Sequence, residues 1–254
     1  VSAVSIAVLT TSYRYFVSEE IQRAEGRLSL YRSTVLAEIE RFSHLAYVLS
    51  VDPFVIDAAG GAAPDLLDAR LRDVAREAGI DAIYLMRPEG ETISASNAGD
   101  AASFVGQNYG FRPYFQDALN GSRGFFYGIG ATTGLPGYFI ADPVRDVDGT
   151  ILGVIAIKIN LASFEEGWRR SGENVMLADA NGVVLLASDP AWRYHALATL
   201  SEIERAEITA ARQFSGQDLT PLDWEAEEGR AQINGAGWLH LTGGDLPHGW
   251  VLHY

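Results

Sequence analysis

Residues 150–159 read Thr150-Ile151-Leu152-Gly153-Val154-Ile155-Ala156-Ile157-Lys158-Ile159. A run this apolar, bounded by Asp148-Gly149, predicts a buried central strand. Lys158 stands inside it, and an ammonium there is costly unless an anion meets it. Upstream, strand-like runs cover 124–130 and 137–144, with turns marked by Gly134-Leu135-Pro136-Gly137 and Asp148-Gly149. Earlier still, Ile83-Tyr84-Leu85-Met86 and Thr92-Ile93-Ser94-Ala95-Ser96 flank a turn at Pro88-Glu89-Gly90, which predicts a hairpin. A short helix is expected from Arg112 to Asn120-Gly121. Antiparallel strands on short turns, with helices gathered before them, indicate an α+β fold.

The helices begin with one long pattern over 12–49. Ile21, Ala24, Leu28, Tyr31, Val35, Ile39, Phe42, Leu45 and Leu49 recur at spacings of three and four, and Asp52-Pro53 ends the run. At ~1.5 Å per residue this helix exceeds ~50 Å. It therefore spans two modules or pairs with a copy of itself, unless it is a broken pair of helices. A second helix is expected from Pro64 to Ala78, stopped by Gly79.

A gapless internal repeat extends the pattern. Ile83–Ser96 aligns on Val175–Ser188, with Gly90 on Gly182 and Ala95-Ser96 on Ala187-Ser188. Gly153–Lys158 similarly aligns on Gly249–Tyr254, which sets Tyr254 against Lys158. Two matches in the same order predict duplicated modules. The expected division is a helix over 1–49, a first module over 50–165 and a second over 166–254.

The chain has 254 residues, 48% of them hydrophobic, enough for one large or two small cores. Its net charge of -14 argues against nucleic acid or an anionic membrane surface as partner. With no cysteine, disulfides and thiolate metal sites are excluded. Val1–Leu9 is apolar and uncharged but short of the ~20 residues of a membrane span. It reads equally as the end of a membrane helix, part of a signal segment or an ordinary chain end. The last residues, Trp250–Tyr254, fall inside a strand-like run, so a domain cut from a longer protein is expected.

Against this acidity, a local set of cations and hydroxyls stands out. Arg112 lies among aromatics in Phe111-Arg112-Pro113-Tyr114-Phe115, and Gly128-Ile129-Gly130-Ala131-Thr132-Thr133-Gly134 offers two hydroxyls and open backbone. An arginine fork, a lysine point charge and hydroxyl donors suit a small molecule with two carboxylates. Each residue has a plainer reading. Lys158 can snorkel from an edge strand, Arg112 can meet a structural carboxylate, the tyrosines can be core and the threonines can cap a turn. Their occurrence together in one module, in the order of the family pattern described next, favours a site. No phosphate-binding loop, dinucleotide fingerprint, serine elbow or metal-ligand spacing is present, so no catalytic residue, metal or cofactor is expected.

The long N-terminal helix and two tandem α+β modules resemble a double Cache, or tandem PAS-like, sensor domain. The more specific resemblance is to the sensor of four-carbon-dicarboxylate histidine kinases of the DctB type. It rests on Asn108–Gln116, Ala131–Gly134, Gly137-Tyr138-Phe139, Asp142-Pro143-Val144 and Gly153–Lys158, and continues through Trp168, Ala187-Ser188 and Trp192. It implies an antiparallel sheet with flanking helices in each module and a ligand pocket in the first, membrane-distal one. Arg112 and Lys158 would neutralise two carboxylates. Tyr109, Tyr114 and Tyr138 would wall the pocket, and Thr132 and Thr133 would bind carboxylate oxygens. Two departures bear on selectivity. Gly110 stands where the family often has Ser, and Asp142 near the pocket would repel a second carboxylate. Amino-acid-binding relatives place Asp where this chain has Gly130, which disfavours such a ligand unless Asp142 substitutes.

The resemblance further implies the periplasmic domain of a bacterial inner-membrane histidine kinase, not itself an enzyme, with a homodimer along the N-terminal helix. A chemoreceptor sensor for another small carboxylate or amino acid is the alternative. A soluble hydrolase or transferase using the two cations as an anion clamp lacks a recognisable nucleophile.

Overall fold

In the computed structural model, residues 2–63, 65–227 and 229–254 are described, with side chains from residue 17 onward except that of residue 65. The first helix, α1, runs Ser2–Ser50 without a break. Ala24, Leu28, Val35, Ile39, Phe42, Ala46 and Leu49 are buried along it, while Leu45 is only half-buried. The stripe thus follows the expected period, with Ala46 taking the core position beside Leu45. Asp52 does not merely stop α1. Its carboxylate caps a short helix, α2 (Pro53–Ala59), by accepting from Phe54 N at 2.9 Å, and Pro53 fills the first turn. Helix α3 covers Asp65–Ala78, with Gly79 at φ 68° just past its end; the expected Pro64 start lies outside the described residues.

The chain divides into two compact units that are not contiguous in sequence. One comprises 38–163 and 201–217; it is called here the lysine unit. Its strands are β1 (Ala82–Met86), β2 (Thr92–Ala95), β3 (Gly124–Ile129), β4 (Pro136–Arg145) and β5 (Ile151–Ile159), with helix α4 (Pro113–Leu119) between β2 and β3. They form an antiparallel sheet in the order β2-β1-β5-β4-β3, so β5 is central, as its apolar run predicts. Helix α4 packs on one face with Tyr114, Phe115 and Ala118 against Tyr84, Phe126, Phe139 and Ala156. On the other face Asp68 of α3 accepts from Ser94 Oγ at 2.5 Å and Ala95 N at 2.9 Å. A third helix, Glu202–Ala210, arrives from far downstream in sequence.

The second unit comprises 1–37, 164–200 and 218–254; it is called here the tryptophan unit. Helix α5 (Ala162–Ser171) precedes β6 (Met176–Ala178) and β7 (Val184–Ala187). The Glu202–Ala210 helix is α6, and it is followed by β8 (Trp224–Glu227), β9 (Arg230–Ile233), β10 (Ala236–Leu239), β11 (Thr242–Gly243) and β12 (Val251–His253). A four-stranded sheet has the order β11-β12-β6-β7, and β10-β9-β8 form a separate meander.

The two hairpins repeat in detail. Ile83 N donates to Ser96 Oγ and Val175 N to Ser188 Oγ, each at 3.0 Å. Gly90 and Gly182 close the turns at φ 86° and 74°, and each β1/β2 and β6/β7 ladder carries one register irregularity at the same place. The strand pairing corrects one expectation. Tyr84 pairs with Ala156 and Leu85 with Ile155, while the equivalent Met176 pairs with His253 and Leu177 with Leu252. His253 is therefore the counterpart of Ala156, and Tyr254 of Ile157, one residue short of Lys158. Gapless sequence matching cannot see this slip, and a slip of one residue moves a side chain to the opposite face.

Candidate ligand-binding site

Lys158 lies across from Ala82 on one side and Phe139 on the other. Cross-strand partners share a face, so Lys158 stands on the α4 side of the sheet, the face on which Tyr84, Tyr114, Phe126 and Phe139 pack. It is 2% exposed. Its Nζ donates to Thr133 Oγ1 at 3.4 Å and stands 3.6 Å from Asp81 Oδ2. Burial pushes its pKa down, and the Asp81 carboxylate offsets part of that shift. The flanking glycines make the approach possible. A Cβ on Gly137 would sit 2.5 Å from Lys158 Cε, and one on Gly130 would sit 2.6 Å from Thr133 Oγ1.

Arg112 is the residue before α4 and is 1% exposed. Its guanidinium lies 5.1 Å from the ring centroids of Phe111 and Phe126 and 6.0 Å from that of Phe139, the strand partner of Lys158. Nη2 donates to Ile129 O at 2.7 Å, and Nη1 donates to Ala211 O and Arg212 O at 3.0 and 3.1 Å. Among the described residues no carboxylate forms an ion pair with it. Burial lowers its pKa, and the Tyr114, Tyr84 and Tyr109 hydroxyls oppose the shift. The expected role of Arg112 is thus widened: removing it takes away three hydrogen bonds to backbone carbonyls as well as a charge.

Tyrosine hydroxyls line the same face. Tyr84 and Tyr114 share a hydrogen bond of 2.6 Å, Tyr114 stacks on Phe139 at 5.2 Å, and Tyr109 OH meets Thr132 Oγ1 at 2.6 Å. Burial raises the pKa of all three phenols, so they are neutral donors at any ordinary pH. The structure therefore brings Arg112, Lys158, Tyr109, Tyr114, Thr132 and Thr133 into one unit, on or beside one face of its sheet. Tyr84 and Asp81 belong with them and were missed. The signal for Tyr84 was period two, since it shares a face with Ala82, the strand partner of Lys158; Asp81 lies one residue before β1, and only the placement of the Lys158 side chain brings the two together.

The other three expected members are directed elsewhere. Tyr138 precedes Phe139 on β4 and so faces the other way, stacked against Phe125 at 6.3 Å. Asp142 shares that opposite face, and Arg123 Nε holds both its oxygens at 3.1 and 3.0 Å. Burial raises the Asp142 carboxyl and Arg123 counters. The Asp142 carboxylate is thus on the face opposite Lys158. At Gly110 a Cβ would meet Asn108 Oδ1 at 3.2 Å and Glu89 O at 3.4 Å, so a side chain there would head for the Glu89-Gly90 turn.

Comparison with known proteins bears on what this arrangement is for. The Cache domain family model matches residues 9–241. The chain is 36% identical over 243 residues to the C4-dicarboxylate transport sensor protein DctB of Pseudomonas aeruginosa, covering 94% of this chain and 38% of that protein. It is 32% identical to the protein of the same name from Rhizobium meliloti, covering 80% and 33%. The chain thus spans about a third of the length of these relatives. The sensor domain of the V. cholerae histidine kinase DctB superposes with a TM-score of 0.83 at 26% identity, over 91% of this chain and 95% of that one. The Pseudomonas fluorescens chemoreceptor CtaA, solved with L-alanine, superposes at 0.60 and 17% identity over 91% and 94%, a likeness of fold alone.

Proposed function

Since this chain belongs to the Cache domain family, we propose that it is the extracytoplasmic sensor of a two-component histidine kinase and binds a small dicarboxylate of the succinate, malate or fumarate type. The observation that carries the ligand class is Arg112, a buried guanidinium surrounded by carbonyl dipoles, ring faces and tyrosine hydroxyls, with no carboxylate partner among the described residues. Leaving a cation dry and unpaired is expensive, and a carboxylate supplies the missing charge with fork geometry. Lys158 on the same sheet face serves the second carboxylate, displacing its long contact to Asp81. Tyr84, Tyr109, Tyr114, Thr132 and Thr133 supply neutral hydroxyls for the remaining oxygen lone pairs. Arg123 already engages Asp142, on the far face of the sheet, and this supports the dicarboxylate over an α-amino acid.

In this reading the catalytic kinase lies in other parts of the protein, the chain is held at the membrane, and two copies pair along α1. No helix of the described residues is long and apolar enough to cross a membrane. Among the described residues, exposed Val17, Leu30, Tyr47 and Val48 on α1 are large apolar side chains available for pairing.

A thermal-shift and calorimetry panel tests the ligand. Succinate, malate and fumarate should raise the melting midpoint, since a ligand that binds only the folded state stabilises it by mass action. Acetate and L-alanine should not. A panel in which acetate equals succinate, or in which no dicarboxylate acts, would overturn the two-cation pocket.

A further inference from the structure

Arg112 directs half of its guanidinium at chain that sequence places about a hundred residues away. Besides the Nη1 bonds to Ala211 O and Arg212 O, Ile129 N at the end of β3 donates to Gln213 O at 2.8 Å. Gly128 can only be glycine there, because a Cβ would stand 2.8 Å from Gln213 O. Phe214 is buried, and the Arg212 guanidinium lies 4.3 Å from the Phe111 ring. Arg212 takes φ 49° as the left-handed residue that closes α6, with Arg212 N donating to Thr209 O and Gln213 N to Ile208 O at 3.0 Å each, so the helix end sets the local turn and the contacts above set where it docks.

A guanidinium has five N–H donors. Three are spent on carbonyls, which leaves Nε–H and one N–H of Nη2, and carbonyls leave the positive charge unneutralised. We propose that Arg112 bridges ligand and chain: a carboxylate takes its remaining edge, and residues 211–214 form a strap whose docking is coupled to ligand occupancy. This rests on the reading of Arg112 as a ligand clamp. An unliganded buried cation gains by shifting toward water, which loosens the Nη1 bonds; a bound carboxylate removes that drive and fixes the guanidinium plane. The strap lies within 201–217, and the residues joined to its two ends, Leu200 and Asp218, belong to the tryptophan unit. Occupancy beside Lys158 therefore alters the order of a segment tethered to the other unit. By linkage, whatever factor succinate adds to strap docking, strap docking adds to succinate affinity.

The test pairs hydrogen exchange with calorimetry on the 254-residue chain, using succinate as probe. Saturating succinate should slow exchange across 208–214 by about 5-fold or more, the lower end of ordinary coupling. Phe214→Ala, away from the ligand, should raise the succinate Kd by a similar factor, and Phe214→Leu should recover most of it. Succinate that binds while 208–214 exchanges unchanged, or a folded Phe214→Ala that binds as the natural chain does, would overturn the strap and leave the ligand reading standing. If Phe214→Ala fails to fold, Phe214→Leu and the exchange data still decide. If no dicarboxylate in the panel binds, both proposals fall.

Discussion

The two units carry the same hairpin and opposite contents. In the lysine unit, the face beneath α4 presents Lys158, Tyr84 and the edge of Arg112 among phenylalanines. In the tryptophan unit, the equivalent face holds Met176, Trp192 and Ile233. There Trp192 and Trp238 pack at 6.1 Å, and His240 and His253 stack at 5.3 Å with Nε2 and Nδ1 3.0 Å apart. One frame thus supports a charged face and a face closed by large aromatic rings. The frame depends on hairpin glycines and ladder hydrogen bonds, and the contents depend on a few positions that these do not constrain.

Removing the charge from the first face is the strongest way to break this contrast. Lys158→Met keeps the length of the side chain and should weaken succinate about 30-fold or more, from ~2 kcal/mol or more for a lost buried charge partner. Its melting midpoint without ligand should hold or rise, since an apolar chain replaces a buried ammonium. Calorimetry showing unchanged affinity would return Lys158 to a structural role.

On the second face the expected effect is on stability. Burial first, and then His240, hold the His253 imidazole down at about 4. The unfolded chain, titrating near 6.5, takes up this proton first as pH falls. Stability is therefore complete above about 6.5, is lost as pH drops from there through about 4, and falls by at most ~1.4 kcal/mol per pH unit for this one proton. Denaturation of His253→Phe should show a shallower slope over that window; an identical slope would place the titration elsewhere.

A smaller effect should follow from crowding the lysine. Gly137→Ala brings a Cβ against the Lys158 stem, and roughly 1 kcal/mol of overpacking corresponds to about a 5-fold loss of succinate affinity. Least affected should be Asp142→Asn, whose partner is Arg123 on the far side of the sheet: succinate affinity should stay within about 2-fold. A tenfold gain would show that Asp142 senses the ligand after all.

Much of this architecture was legible in the sequence, for physical reasons. Periods of 3.6 and 2 locate α1 and β5, glycines needing positive φ mark both hairpin turns, and a lysine within an apolar strand marks the face that requires an anion. The grouping of Arg112, Tyr109, Tyr114 and Thr132 with Lys158 came from their order in a familiar pattern, and the fold places them on one side. Tertiary structure alone decided three matters. Strand register sent Tyr138 and Asp142 to the opposite face and set Tyr254 against Ile157, because one residue reverses a pleat. Packing gave Arg123 to Asp142 and left Arg112 without an acidic partner among the described residues, a choice no local pattern encodes. And it carried residues 201–217 into the lysine unit, since a hydrogen bond from Nη1 to Ala211 spans a separation over which sequence periodicity says nothing.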